Sequence, residues 1–155
     1  LSLCRSRNIP LIINDRPDLA QESGCDGAHV GQQDTPYINA RATMDHNCII
    51  GVTCHNSRHL AIEAAEKGAD YVAFGAFFST TTKTANFSAS IDILRWWSDY
   101  MVVPCVAIGG ITPENCHSLV SSGADFLAVV SAIWNHPDGP GSSVRAFNEA
   151  ISNAS

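Results

Sequence analysis

Short apolar runs recur along the chain, each followed by glycines or polar residues and then by a stretch of helical composition. The runs at 11–13, 28–30, 48–53, 71–75, 102–108 and 126–130 have strand length. They lack the alternation of a half-exposed strand, as expected for parallel strands covered by helices on both faces. Between them, residues 18–22, 38–44, 91–100 and 143–151 read as helices. Another helix, capped by Asn56 or Ser57, carries Leu60, Ile62, Ala64 and Ala65 to Lys67-Gly68. Thr112-Pro113 is a helix-start signature whose helix ends at Gly123, because proline suits the first helical position. Residues 1–7 read as a final helical turn, stopped by Asn8-Ile9-Pro10.

One grammar repeats at three of these junctions. Ser23-Gly24-Cys25-Asp26-Gly27, Lys67-Gly68-Ala69-Asp70-Tyr71 and Ser122-Gly123-Ala124-Asp125-Phe126 each read helix end, glycine, small residue, aspartate, strand. Glycine suits the left-handed residue that ends a helix, and the aspartate can hydrogen-bond nearby backbone before the strand begins. Six strands alternating with helices imply a parallel sheet, either doubly wound or a barrel. No G-x-G-x-x-G follows an early strand, as a dinucleotide-binding sheet would require. The pattern therefore predicts an α/β chain of the TIM type, a (β/α)₈ barrel lacking two units, with residues 1–155 as a single partial barrel domain.

Composition narrows the function classes. The chain has 155 residues, 45% of them hydrophobic, and a net charge of −6. That supports one substantial core and argues against general binding to nucleic acid or anionic membranes. The six cysteines form no C-x-x-C pair and read as reduced, mostly buried thiols. No charged-then-apolar leader or long apolar run occurs, so the expectation is a cytoplasmic protein.

Candidate chemistry gathers where strands end. After residues 71–75 come Ser79, Thr80, Thr81, Thr82 and Lys83, a set of hydroxyls beside a cation that suits a phosphate. Lys83 is one of two lysines, and the other, Lys67, sits at a helix C-terminus where a cation is expected anyway. Asn14, Asp15 and Asp34 follow the first two strands, where carboxylates by themselves read as Asx-turn residues and only further motifs would make them metal ligands. Gly109-Gly110 before Thr112-Pro113 suits both a strand-to-helix turn and an anion site. Trp96, Trp97, His29, Cys25 and Cys105 read as packing residues.

Asn14-Asp15-Arg16, Gly31-Gln32-Gln33-Asp34, Gly51-Val52-Thr53-Cys54-His55, Thr80-Thr81-Thr82-Lys83, Val106-Ala107-Ile108-Gly109-Gly110-Ile111 and Val129-Val130-Ser131 together resemble the thiamine-phosphate synthase family. They cover nearly the whole chain in the family's order. The resemblance implies a (β/α)₈ barrel that joins hydroxymethylpyrimidine diphosphate to thiazole phosphate, giving thiamine phosphate and diphosphate. It also implies Mg²⁺ on Asp15 and Asp34, the diphosphate on Asn14 and Lys83, and the pyrimidine beside Thr53. Thr80, Thr81, Thr82, Gly110, Val130 and Ser131 would bind the thiazole phosphate, and Lys83 would stabilise the leaving diphosphate. No protein nucleophile is needed, so His55 and Cys54 receive no catalytic role.

The departures from that family lie mainly at the front. Its first two strands, and its Gln/Arg/Lys segment for the pyrimidine diphosphate, are absent from this sequence. Strands 11–13 and 126–130 would then be barrel edges open to self-association, which favours a homo-oligomer. Ser79 replaces a frequent proline and Cys54 a frequent threonine. Two other readings are a thiazole tautomerase-like isomerase, in which His55 would transfer protons, and a non-catalytic phosphate-binding barrel fragment.

Overall fold

In the computed structural model, which describes residues 1–80 and 88–154, the six apolar runs form strands and helices fill the intervals. The order is α1 (Ser2–Arg5), β1 (Ile12–Asn14), α2 (Pro17–Ser23), β2 (Gly27–Val30), α3 (Tyr37–Thr43), β3 (Ile49–His55), α4 (Arg58–Glu66), β4 (Tyr71–Gly75), α5 (Asp92–Tyr100), β5 (Cys105–Ile108), α6 (His117–Val120), β6 (Phe126–Ala128), α7 (Ser131–Trp134) and α8 (Pro140–Ser152). The strands lie in one sheet in chain order, β1 to β6. A doubly wound sheet would reverse its order at a switch point, so this order selects the TIM-type alternative. Pairing is parallel, with Asn14 opposite His29, His29 opposite Gly51, and Ile108 opposite Ala128.

Cα proximity groups the chain into two compact units, Leu1–Cys54 with His59–Val72, and His55–Arg58 with Ala73–Ser155. The first is built on small residues, with Ala20, Ala28, Ala40 and Ala61 fully buried beside Ile50 and Cys54. Alanine on the helices lets them lie close to the strands. The second has a bulkier core of Phe74, Leu94, Trp97, Leu119 and Phe147. Phe74 meets Trp97 edge to face at 5.5 Å, and the Trp97 indole N–H donates to the Val103 carbonyl at 2.6 Å. A large aromatic is thus buried with its polar atom satisfied.

The repeated glycine-aspartate junction has one geometry in all three places. Gly24, Gly68 and Gly123 have φ of 66°, 94° and 96°, the left-handed conformation that costs glycine least. The next residue's N–H reaches back to the helix, from Cys25 to Ala20, Ala69 to Ala64, and Ala124 to Leu119. The aspartate then reaches further than a local turn. Its backbone N–H donates to the carbonyl that opens the preceding strand segment, from Asp26 to Leu11, Asp70 to Ile50, and Asp125 to Cys105. Its carboxylate accepts the N–H of that same residue, at 2.7 Å from Leu11, 2.7 Å from Ile50 and 2.8 Å from Cys105. Each aspartate is therefore a two-point clasp between consecutive strands. Asp70 also holds Arg41 at 2.6 Å, and Arg41 donates to the Cys48 carbonyl.

Some elements differ from the sequence pattern. The helix expected up to Gly123 is reduced to α6, because Asn115 holds the preceding segment as a turn. Its side chain accepts from the Thr112 N–H at 2.9 Å and donates to the Gly110 carbonyl at 3.0 Å. The turn α7 is additional, and Ser143 of α8, fully buried, donates its hydroxyl to Ala132 of α7 at 2.8 Å. Asn56 accepts from the Ser90 N–H at 3.1 Å, so its side chain ties down the segment before α5. Among the described residues no helix is long and apolar enough to cross a membrane.

If the clasp sets strand pairing, Asp26→Ala should cost about 1–2 kcal/mol in chemical denaturation, since it leaves the Leu11 N–H without its acceptor. Asp138→Ala, at an exposed position, should change stability by less than about 0.5 kcal/mol. Equal effects would show that the clasp carries no special weight.

Candidate functional site

In the first unit, polar residues converge where β1, β2 and β3 end. Asn14 closes β1 opposite His29, and the Asp15 N–H donates to the His29 carbonyl at 2.8 Å, extending the ladder by one bond. Asp15 has φ of 64°, a left-handed conformation uncommon outside glycine and best tolerated by Asn and Asp. Asp34 closes its own turn, its Oδ2 accepting the Gly31 N–H at 2.8 Å. The Asx-type role and a metal role are compatible, because among the described residues the second oxygen, Oδ1, makes no hydrogen bond.

Thr53 lies within β3, half-buried, and is held at two atoms. Gln32 Nε2 donates to its carbonyl at 2.7 Å, and its Oγ1 is 2.7 Å from His29 Nε2. The other ring nitrogen, His29 Nδ1, is 2.9 Å from the Tyr71 hydroxyl. These bonds link Asp15 to His29, His29 to Thr53, and Thr53 to Gln32. His29 had read as packing, and it is half-buried between buried neighbours Ala28 and Val30. The signal available was a lone imidazole within an apolar run, together with a tyrosine opening another. Gln32 lies in the Gly31-Gln32-Gln33-Asp34 segment, where its sequence position alone implies no role.

The donor set of the first unit is carboxylate, amide and hydroxyl oxygen, which suits a hard cation. Among the described residues no group of three or more His, Cys, Asp and Glu is placed to hold a metal. Two carboxylates therefore fit Mg²⁺ only with phosphate oxygens completing its shell, the usual arrangement for that ion. Cys54 and His55 close β3. Burial pushes the Cys54 thiol up to about 12, so it is not a nucleophile near neutral pH, and burial lowers the His55 imidazole, favouring its neutral form. His55 has φ of 52°.

In the second unit, the segment after β4 runs along the end of β5. Phe77 N–H donates to the Ile108 carbonyl and Phe78 N–H to the Gly109 carbonyl, both at 3.1 Å. Gly110, with φ of 65°, makes this approach possible, because a Cβ there would stand 2.5 Å from the Ser79 carbonyl oxygen and 2.8 Å from Phe78. Thr80 follows, half-buried. Thr81, Thr82 and Lys83 lie outside the described residues. Val130 is 53% exposed and precedes α7, whose first residue is Ser131.

Gly110→Ala should therefore force the 78–79 backbone away. The expected cost is about 1–3 kcal/mol in denaturation, from overpacking and left-handed strain. Gly141→Ala in α8, where the nearest atom to a new Cβ would be Arg145 Nη1 at 3.7 Å, should be neutral or stabilising. A harmless Gly110→Ala would mean that the loop is not held against β5.

Comparison with known proteins places the chain in a family. A family model described as thiamine monophosphate synthase matches residues 1–133. Thiamine-phosphate synthase of Rhodospirillum centenum is 58% identical over 149 residues, covering 96% of this chain and 72% of that protein. The Erythrobacter litoralis thiamine-phosphate synthase is 46% identical over 155 residues, covering 99% and 72%. Among solved structures, thiamine phosphate pyrophosphorylase from Pyrococcus furiosus superposes with a TM-score of 0.87 at 29% identity, covering 99% of this chain and 72% of that one. Orotidine 5'-phosphate decarboxylase from Pyrococcus horikoshii, at 15% identity and a TM-score of 0.69, shares the fold alone.

Proposed function

The chain belongs to the thiamine monophosphate synthase family of enzymes of thiamine biosynthesis, and from that premise we propose how its residues divide the work of the transferase. The substrates are hydroxymethylpyrimidine diphosphate and thiazole phosphate. The bond from the pyrimidine methylene carbon to the diphosphate oxygen breaks, and a bond from that carbon to the thiazole nitrogen forms, releasing diphosphate. Asp15 and Asp34 hold Mg²⁺, Asn14 and Lys83 contact the diphosphate, and Thr53 lies beside the pyrimidine. Thr80, Thr81, Thr82, Gly110, Val130 and Ser131 take the thiazole phosphate.

The observation that carries this reading is the pair Asp15 and Asp34 at the carboxyl ends of neighbouring strands β1 and β2. Ligands of TIM-type folds bind at that end. Mg²⁺ held by Asp15 and Asp34 would supply positive charge for the departing diphosphate. In this division of roles the Lys83 ammonium would add a second charge to the diphosphate, and Asn14 would hydrogen-bond it through its amide. The high thiol pKa of Cys54 fits a reaction with no protein nucleophile. The absence of a basic patch in a chain of net charge −6 favours small phosphorylated partners captured at local cationic sites.

Asp15→Asn or Asp34→Asn should weaken Mg²⁺-dependent diphosphate binding while leaving the fold intact. Calorimetric titration with diphosphate, with and without Mg²⁺, measures this directly. Equal affinity in the two conditions for the unsubstituted protein refutes the metal assignment.

Lys83→Ala should lower kcat by roughly 10²–10³-fold, the scale of removing one preorganised charge stabiliser. Lys83→Arg should restore only part, because a planar fork replaces a compact ammonium. Loss confined to thiazole phosphate affinity, with turnover at saturation unchanged, would move Lys83 to the other phosphate.

A further inference from the structure

Tyr71, His29 and Thr53 form a chain of two short hydrogen bonds, 2.9 Å at His29 Nδ1 and 2.7 Å at Nε2. The His29 and Tyr71 rings lie nearly parallel, 5.5 Å between centroids and 19° between planes. The tyrosine ring covers Gly51, where any Cβ would collide with it. A glycine in mid-strand beneath an aromatic, with an imidazole stacked beside it, fixes the place of the phenol oxygen.

The proton arrangement follows from counting donors. A neutral imidazole has one N–H and one lone pair, and a phenol has one proton. His29 Nδ1 is the hydrogen-bond partner that the Tyr71 hydroxyl has among the described residues. If Nδ1 carried the proton, the phenol proton would be left without an acceptor in a half-buried place, at a cost. With the phenol donating to Nδ1, the phenol proton faces the Nδ1 lone pair and the imidazole proton faces Thr53. Burial pushes Tyr71 up to about 12, so its proton stays in place at neutral pH. The imidazole proton is then on Nε2, facing Thr53 Oγ1. A hydroxyl that accepts there turns its own proton elsewhere.

We propose that His29 is a positioning residue: held by Tyr71 as the Nε2–H tautomer, it donates to Thr53 Oγ1 and presents the Thr53 hydroxyl to the pyrimidine diphosphate as a hydrogen-bond donor. The ligand atom it selects carries a lone pair, as a ring nitrogen does, and an exocyclic amino group does not satisfy it. This rests on the assignment of Thr53 to the pyrimidine and deepens it.

The experiment is a set of variants of the enzyme with steady-state kinetics at saturating thiazole phosphate. Thr53→Val and His29→Leu should each raise the KM for the pyrimidine diphosphate about tenfold, the scale of one lost hydrogen bond. The double variant should be no worse than Thr53→Val alone, because His29 acts through Thr53. His29→Gln, which sets an amide N–H where Nε2 stood, should recover most of the loss. The KM for thiazole phosphate should not move, whereas a merely structural role would raise both and add in the double variant. Nitrogen NMR of His29 in the unliganded protein should show Nε2 protonated and Nδ1 bare. The reverse tautomer overturns the proposal, as does a Thr53→Val defect that His29→Leu does not share. An unchanged pyrimidine KM in Thr53→Val would instead overturn the assignment of Thr53, and the substrate role of His29 with it.

Discussion

The carboxylate clasp before β2, β4 and β6 is the interaction on which the pairing of these strands with their predecessors depends. Parallel strands share no tight hairpin, so nothing local sets how far one slides along the next, and a slip by one residue would invert every side chain. Asp26, Asp70 and Asp125 remove that freedom by binding both the N–H and the carbonyl of one residue at the head of the preceding strand segment. The register follows: Ile12 meets Gly27, and Val106 meets Phe126. The functional side chains are delivered to the opposite ends of the same strands.

Stability and chemistry are accordingly separated along each strand. The clasps and the left-handed Gly24, Gly68 and Gly123 stand at the amino ends of β2, β4 and β6, where Arg41 adds an ion pair to Asp70 at 2.6 Å. At the carboxyl ends the backbone departs from common conformations, at Asp15 with φ of 64° and His55 with φ of 52°. Such strain is tolerated only when surrounding bonds over-determine it. Asp15 has one such bond in the ladder to His29, so the carboxylate proposed to meet Mg²⁺ is set by the same pairing that builds the sheet.

The polar chain from Tyr71 through His29 to Thr53 shows why a residue's type alone does not reveal its work. Each belongs to a different strand, at sequence separations of 42 and 24 residues. An imidazole between Ala28 and Val30 looks like a core residue until the strand order brings a phenol to one nitrogen and a hydroxyl to the other. Gln32 is similar, since its bond to the Thr53 carbonyl at 2.7 Å joins two motifs that lie apart in the chain.

Much was legible in the linear pattern because it rests on local physics. Apolar runs of strand length, glycine at helix ends and aspartate before strands determined the six βα units, and β4 at Tyr71–Gly75 coincides with its expected bounds. The ordered motifs determined the family, and with it the candidate residues Asp15, Asp34 and Thr53. The tertiary structure alone decided what depends on partners distant in sequence. It made the three aspartates clasps rather than local turn residues, shortened the helix before Gly123 through the Asn115 side chain, and brought His29 between Tyr71 and Thr53. A short-range pattern records which bonds a segment can make with itself, whereas the acceptor of a hydrogen bond across strands is chosen only when the sheet has formed.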